Sequence, residues 1–504
     1  MTKAASNELS GADTLSLSPR ERAGVRGKGT SESTTSSQSQ GSTTGLDASQ
    51  HTRRHFLKLS ASALAFPFLL PAAESSNFRL ATFSADVTVP LGHGMMGGLW
   101  QAKSIADPLL ARGFVLLGGD KPVVFVSVDW CEIRNDAYER WRTVLAAAAG
   151  TDPARVLVTS IHQHEAPVMD LTAEKILRER RLAGSICDLA FHETAVQRVA
   201  QALRDSLPEA RRVTQVGTGQ GKVDRLASNR RYLMPDGSVR FDRGSATKNI
   251  LAIEAEEGLI DPFCKCLSFW DGDKPVAALS SYAIHPMSYY RTGEVSADFP
   301  GLARSQRQRD LPDVFQIYAS GCSGNVTAGK YNDGARANRP ILADRLHAGM
   351  KLAWENTKRQ PLTKLEFRQS EVIFPPRPEE AFTIAGLEKK LTPESIAWDQ
   401  CLAAMGLSWQ RRLAGGQPVD IPLLDFGPAQ LLLLPGEAYV DYQLAAQKLR
   451  PDSFVLTLGY GESATGYIPT EKHWTEKDSN LHDWCWVGPG AEAKLRAAIR
   501  RVLG

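Results

Sequence analysis

The chain has 504 residues, with 59 Lys and Arg against 56 Asp and Glu. Its small basic excess sits in the first 73 residues, which hold eight Lys/Arg and five Asp/Glu; the remainder is balanced at 51 of each, which removes the electrostatic case for a nucleic-acid partner. Seven cysteines over this length do not make a disulfide scaffold, so buried free thiols are expected, with one disulfide allowed.

Residues 1–50 are rich in Ser, Thr, Gly and Gln and hold no aromatic residue, a composition that predicts a disordered leader. Residues 51–73 carry Arg53-Arg54-His55-Phe56-Leu57-Lys58 ahead of the apolar run LSASALAFPFLLPAA. The pattern resembles a twin-arginine export signal cleaved after Ala73, which implies the twin-arginine machinery as a partner and a periplasmic or extracellular location. The run is short for a spanning helix and contains Pro67; an uncleaved anchor is the alternative. No transmembrane helix is expected in the mature chain. The roughly 430 residues that follow exceed what one hydrophobic core supports, so residues 78–504 should form a multilayer domain or two subdomains.

Along that stretch, continuous apolar runs read as buried strands: RGFVLLG, PVVFVSVDW, RVLVTSI, FCKCLSFW, PVAALSSYAI, VFQIYAS, AQLLLLP and SFVLTLG. They alternate with helical stretches, among them DAYERWRTVLAAAAG, LAFHETAVQRVAQALRDSL, ILADRLHAGMKLAWENT and VDYQLAAQKLR. Buried strands alternating with helices predict an α/β fold with mixed sheets layered between helices, a multilayer sandwich. The region 362–422 breaks the rhythm and reads as a hairpin interrupted by an insertion, a candidate cover for a site. GHGMMGG and GTGQGK lack the strand–GxxxxGK[ST]–helix context of a phosphate loop, and their glycines read as tight turns.

Polar residues cluster where strands run out. His162 and His164 follow RVLVTSI one residue apart, so strand geometry would bring both imidazoles out on one face. Such a pair can form half of a metal site or a ligand–base pair, or be two histidines hydrogen-bonded in a polar cleft. His285 follows PVAALSSYAI, Glu437 follows AQLLLLP, and Tyr467 follows SFVLTLG. Strand ends are where α/β scaffolds commonly place their sites, although Glu437 also suits the first turn of a helix and Tyr467 a packed loop.

Seven short segments, in one order, resemble the neutral, non-lysosomal ceramidase family: FSADVTVPLGHGMMGG, VLVTSIHQHEAP, SNRRY, SYAIHPMS, ASGCSGNVTAGKYN, LLLLPGE and ATGYIPT. The resemblance implies a zinc-dependent amidase of N-acyl, ceramide-like substrates, with two mixed sheets between helical layers. Carried over by position, it makes His162, His285, Glu437 and Tyr467 the zinc ligands. His164 would sit beside the metal and shuttle protons, and Arg230 would contact substrate. Two imidazoles, a carboxylate and a phenolate suit zinc, which activates water near neutral pH and polarises the scissile carbonyl.

Departures from the family pattern bear on substrate and mechanism. The family's Gly-Asp-Val-Ser reads Gly324-Asn325-Val326-Thr327 here; Thr327 keeps a hydroxyl and is the weakest of the catalytic candidates, while Asn325 removes an acid. The family's second tyrosine is missing after Tyr467, where His473, His482 and Trp484 stand instead. The chain ends at Gly504, and no C-terminal immunoglobulin-like domain is expected. The alternatives to a ceramide amidase are a zinc hydrolase of another amide or ester, and an exported metal-containing binding protein of the same fold.

Overall fold

A computed structural model describes residues 77–504; the leader and export signal expected at 1–73 lie outside the described residues. Three larger sheets carry the described chain, one more than the resemblance implied. The first is ordered Arg211–Arg212, Arg79–Asp86, Leu110–Leu117, Val123–Val128, Val156–Ser160. The second is ordered Phe315–Ser320, Lys274–Tyr282, Phe263–Asp271, Gln215–Lys222, Lys358–Pro361. The third is ordered Glu366–Val372, Val419–Asp425, Ala429–Leu433, Phe454–Leu458.

All three share one plan. Neighbouring strands are antiparallel except for a single parallel pair at one edge. These pairs are Val123–Val128 with Val156–Ser160, Lys274–Tyr282 with Phe315–Ser320, and Ala429–Leu433 with Phe454–Leu458. A parallel pair needs a crossover, and each has a helix in it: Asn135–Ala149, Asp298–Asp310 and Val440–Leu449.

Alternation along the strands explains their continuous apolar character. In Val123–Val128, Val123 and Phe125 join a core shared by the three sheets, while Val124, Val126 and Val128 face the helices. The shared core also takes Phe114 from the first sheet, Leu267, Phe269 and Ile317 from the second, and Leu431, Leu433 and Leu456 from the third. Helices Asn135–Ala149 and Leu189–Ser206 pack on the first sheet, Asn338–Glu355 on the second, and Ala491–Leu503 on the third. The mixed α/β layering expected from the sequence is therefore present.

GTGQGK is not a turn. It lies in the interior strand Gln215–Lys222 of the second sheet, and its glycines serve close packing. A Cβ on Gly219 would stand 2.1 Å from the Ala353 carbonyl oxygen, and one on Gly221 would stand 2.5 Å from that of Gly349, both on helix Asn338–Glu355. Alternate glycines give this strand a face without side chains, against which the helix backbone lies. In GHGMMGG, by contrast, Gly97 and Gly98 have φ of +71° and +92° and make the expected turn.

Within the region 362–422, Glu366–Val372 and Val419–Asp425 pair as antiparallel neighbours, and the chain between them contains helix Ala397–Ala414. Trp398, in the first turn of that helix, lines the cavity described below. All seven cysteines are free and buried. No described helix is long and apolar enough to cross a membrane.

Candidate functional site

The three parallel pairs end at one place. The backbone N–H of Ser160 donates to the carbonyl of Tyr460 (3.1 Å), that of Gly459 donates to Ser320 (3.0 Å), and the Ser320 hydroxyl donates to the carbonyl of Ile161 (2.8 Å). These bonds tie a strand end of each sheet to the others. His162 and His164 leave the first sheet here, His285 the second and Glu437 the third, so a centre assembled from all three needs no long loop.

The strand conformation does not continue through the histidine pair. Val156–Ser160 ends before His162, whose φ of +66° lies in the left-handed region. A non-glycine residue held there costs of order 1 kcal/mol and is tolerated where the surroundings over-determine it. The turn sets the two rings edge to face, with centroids 5.3 Å apart, rather than side by side. His162 is stacked on Tyr460 at 4.4 Å.

His162 Nε2 lies 3.3 Å from Glu437 Oε2, and His285 Nδ1 lies 3.7 Å from the same oxygen. The three atoms belong to a group that converges within 4.8 Å, all of it buried. None of the three has a hydrogen-bond partner. Tetrahedral ligands at about 2.0–2.1 Å from a zinc ion stand about 3.3–3.4 Å from one another, close to the spacing seen here. Orphaned lone pairs of this kind, on two imidazoles and a carboxylate, fit zinc.

Neighbouring contacts choose the tautomers. His162 Nδ1 lies 3.0 Å from the carbonyl oxygen of Cys131, which accepts only, so Nδ1 carries the proton and Nε2 presents its lone pair towards Glu437. The same bond argues against the other convergent group, Cys131, His162 and His164, because burial pushes the Cys131 thiol up to about 11 and keeps it protonated. His285 Nε2 and His164 Nε2 are 3.0 Å apart. With the His285 Nδ1 lone pair facing Glu437, His285 Nε2–H donates to His164, and the proton of His164 sits on Nδ1, which has no protein partner.

Burial drives the pKa of both His164 and His285 well down, helped by His162, so both are neutral. Burial also opposes charge on His162, but the Glu437 carboxylate beside it favours the charged ring and its pKa is lifted, so a zinc ion would have to displace that proton from Nε2.

Tyr467 pairs in register with Glu437 in a short parallel ladder, which sets both side chains on one face. Its hydroxyl accepts from Arg230 Nη1 at 2.8 Å, and burial raises its pKa. Arg230 also reaches Asn480 Oδ1 at 3.4 Å, and its Nε has no partner. Thr327 is not brought to the cavity. Its hydroxyl donates to the Gly244 carbonyl and accepts from the Gly329 N–H, which ties it into the local turn. Asn325 accepts from the Val440 N–H and donates to Asp441, so it caps helix Val440–Leu449.

His162, His164, Glu437, Tyr467 and Arg230 line one cavity of about 290 Å³. Two aromatic pairs form much of its remaining wall, and nothing in the sequence pattern marks them as walls. Trp398 and Trp484 stack at 6.0 Å with an interplanar angle of 8°, and Trp100 and Tyr290 form a second pair at 5.9 Å. Each pair is pinned by a fully buried glutamate: Trp484 Nε1 donates to Glu132 at 2.9 Å, and Trp100 Nε1 to Glu165 at 3.0 Å. Of the residues that stand after Tyr467, His482 and Trp484 line the cavity. His473 is buried away from it, with Nδ1 bonded to the Thr470 hydroxyl.

Fold and site together describe a mixed α/β domain with a candidate metal centre at the joined ends of three sheets. No protein-family model and no curated protein matches the chain. Two solved structures share its fold. Neutral ceramidase from Pseudomonas aeruginosa is 17% identical, with a TM-score of 0.63, over 84% of this chain and 74% of that one. A ceramidase complexed with C2 is 18% identical, with a TM-score of 0.64 and the same coverage. The fold is thus similar to that of neutral ceramidase.

Proposed function

We propose that the chain is a zinc-dependent hydrolase of N-acyl amides, with His162, His285, Glu437 and Tyr467 as zinc ligands. The observation that carries this reading is the convergence of three buried, unpartnered donor atoms on His162, His285 and Glu437, of which His162 and Glu437 line a cavity. The likeness of the fold to ceramidases points to an amide. A zinc ion held there would activate water and polarise the amide carbonyl.

The chain's own groups supply the rest. The Cys131 carbonyl and the His285–His164 bond fix the ligand tautomers before substrate arrives. Arg230 Nε, a buried donor without a partner, is available to the oxygen that gains charge when the carbonyl is attacked. An amine leaves only when protonated, and that proton comes from the attacking water; His164, neutral at rest, would take it up before passing it to the amine. Asp129, paired with Arg304 through two contacts of 2.6 Å, anchors the strand end that leads to Cys131. In the balanced reaction the C–N bond breaks and water delivers hydroxyl to the acyl group and a proton to the amine.

The cavity is at the small end for ligand sites, which typically hold about 300–1,000 Å³, and favours a compact acyl amide over long-chain ceramide. The test is turnover by metal-free and zinc-reconstituted protein on a panel from N-acetyl amines to long-chain ceramide. Zinc-dependent hydrolysis, with higher kcat/KM for short acyl groups, is expected. A strong preference for long-chain ceramide refutes the size argument, and no turnover of any amide or ester favours a metal-containing binding protein.

A further inference from the structure

Glu165 follows His164 directly and is fully buried. Besides Trp100 Nε1 it accepts from the Thr292 N–H and hydroxyl, both at 2.7 Å, and from the Gly293 N–H at 3.2 Å. One carboxylate therefore fixes a cavity wall and the loop that carries Tyr290 and Arg291. Within that loop Arg291 is held at φ +67°, a left-handed conformation that a side chain with a Cβ disfavours. Strain of this kind persists where surrounding bonds over-determine it, and it concentrates at ligand-binding positions.

The strained residue lines the cavity on its exposed side, where its side chain meets solvent, and it has no ion-pair partner among the described residues. Its guanidinium lies 5.5 Å from the ring of Tyr290, which packs edge-on against His164 at 5.7 Å. Arg230, on the same cavity, also lacks a carboxylate partner and bonds only to a tyrosine hydroxyl and an asparagine oxygen. Of the two acids on the wall, Glu437 belongs to the metal centre and Asp483 is paired with His482. The solvent-facing side of a compact cavity thus presents a guanidinium fork whose geometry matches a carboxylate and which no protein group neutralises.

We infer that Arg291 binds a carboxylate of the substrate, so that the preferred substrates are compact N-acyl amides bearing that group, of the N-acyl amino acid type. The inference rests on the amidase reading for its reaction and on the geometry of Arg291 alone for its anion. The two can fail separately.

The experiment compares N-acetylphenylalanine with N-acetylphenethylamine, which differ by the carboxylate only, in zinc-loaded wild type, Arg291→Ala and Arg291→Lys. Removing a charge-assisted hydrogen bond at a solvent-facing site costs about 10-fold, so wild type should prefer the acid by that margin, chiefly through KM. Arg291→Ala should erase the preference, and Arg291→Lys should restore part of it. Calorimetric binding of N-acetylphenylalanine to metal-free wild type and Arg291→Ala gives a readout independent of turnover, with the variant about 10-fold weaker or more. Equal kcat/KM for acid and amine in wild type, or equal affinity of wild type and Arg291→Ala, overturns the role of Arg291 and leaves the amidase reading standing. If neither compound is hydrolysed, the reaction fails, and the binding arm still decides the anion site.

Discussion

Replacing His285 by alanine removes one of three converging donors, and its consequence can be sized in advance. In the metal-free protein, His162 Nε2, His285 Nδ1 and Glu437 Oε2 are buried without partners, a state that zinc relieves. A ligand at a thousandfold excess over its Kd stabilises the native state by about 4.1 kcal/mol. Unfolding about 430 residues carries an entropy of about 0.9 kcal/mol/K, so zinc should raise Tm by about 4–5 °C. Differential scanning calorimetry with and without zinc, alongside elemental analysis, reads both stability and stoichiometry. Wild type should hold one zinc per chain and show the rise; His285→Ala should show little of either. The alanine also strips His164 Nε2 of its partner and lowers the starting Tm, so the quantity to compare is the zinc-induced rise in each protein. One zinc per chain and a full rise in His285→Ala would refute the convergent donor set.

Four further outcomes are expected. His164→Ala should keep zinc but weaken it by about 10- to 100-fold, because His164 orients a ligand without being one; dialysis against graded chelator measures the difference, and an unchanged affinity contradicts the tautomer assignment. Burial lowers the pKa of His192 from 6.5 to about 4, so the native state resists its protonation; stability is full above about 6.5 and lost as pH falls towards 4. Urea unfolding at pH 7.5 and 5.0 should show about 2 kcal/mol less of this loss in His192→Phe than in wild type. Arg304→Ala leaves the buried Asp129 carboxylate unpaired and should cost about 3–5 kcal/mol in the same assay, whereas a loss under about 1 kcal/mol would mean water replaces the guanidinium. Replacing Arg53 and Arg54 by lysine should trap the precursor in the cytoplasm if export takes the twin-arginine route; unchanged export would point to another pathway.

Much of this architecture was legible because its signals are local. Continuous apolar runs marked the buried strands, and the polar residues that close those runs, His162, His285 and Glu437, lie where the three sheets meet. Other features depend on contacts distant in sequence. The glycines of Gln215–Lys222 read as turn residues because their purpose is a helix more than 100 residues later. The left-handed turn at His162 is imposed by contacts that no residue spacing encodes. The aromatic walls join Trp100 to Tyr290 and Trp398 to Trp484, and the acids that pin them, Glu165 and Glu132, are ordinary charged residues in the sequence. Thr327 kept the hydroxyl of a familiar motif, yet its neighbours turn that hydroxyl into a loop contact.

The most direct test of the central claim is a zinc titration of metal-free protein, with hydrolysis of an N-acetyl amide followed at each step. The account predicts that turnover rises in proportion to bound zinc and stops rising at one equivalent per chain. Stoichiometric zinc binding with no hydrolysis at any occupancy, or full hydrolysis before zinc is added, would contradict it.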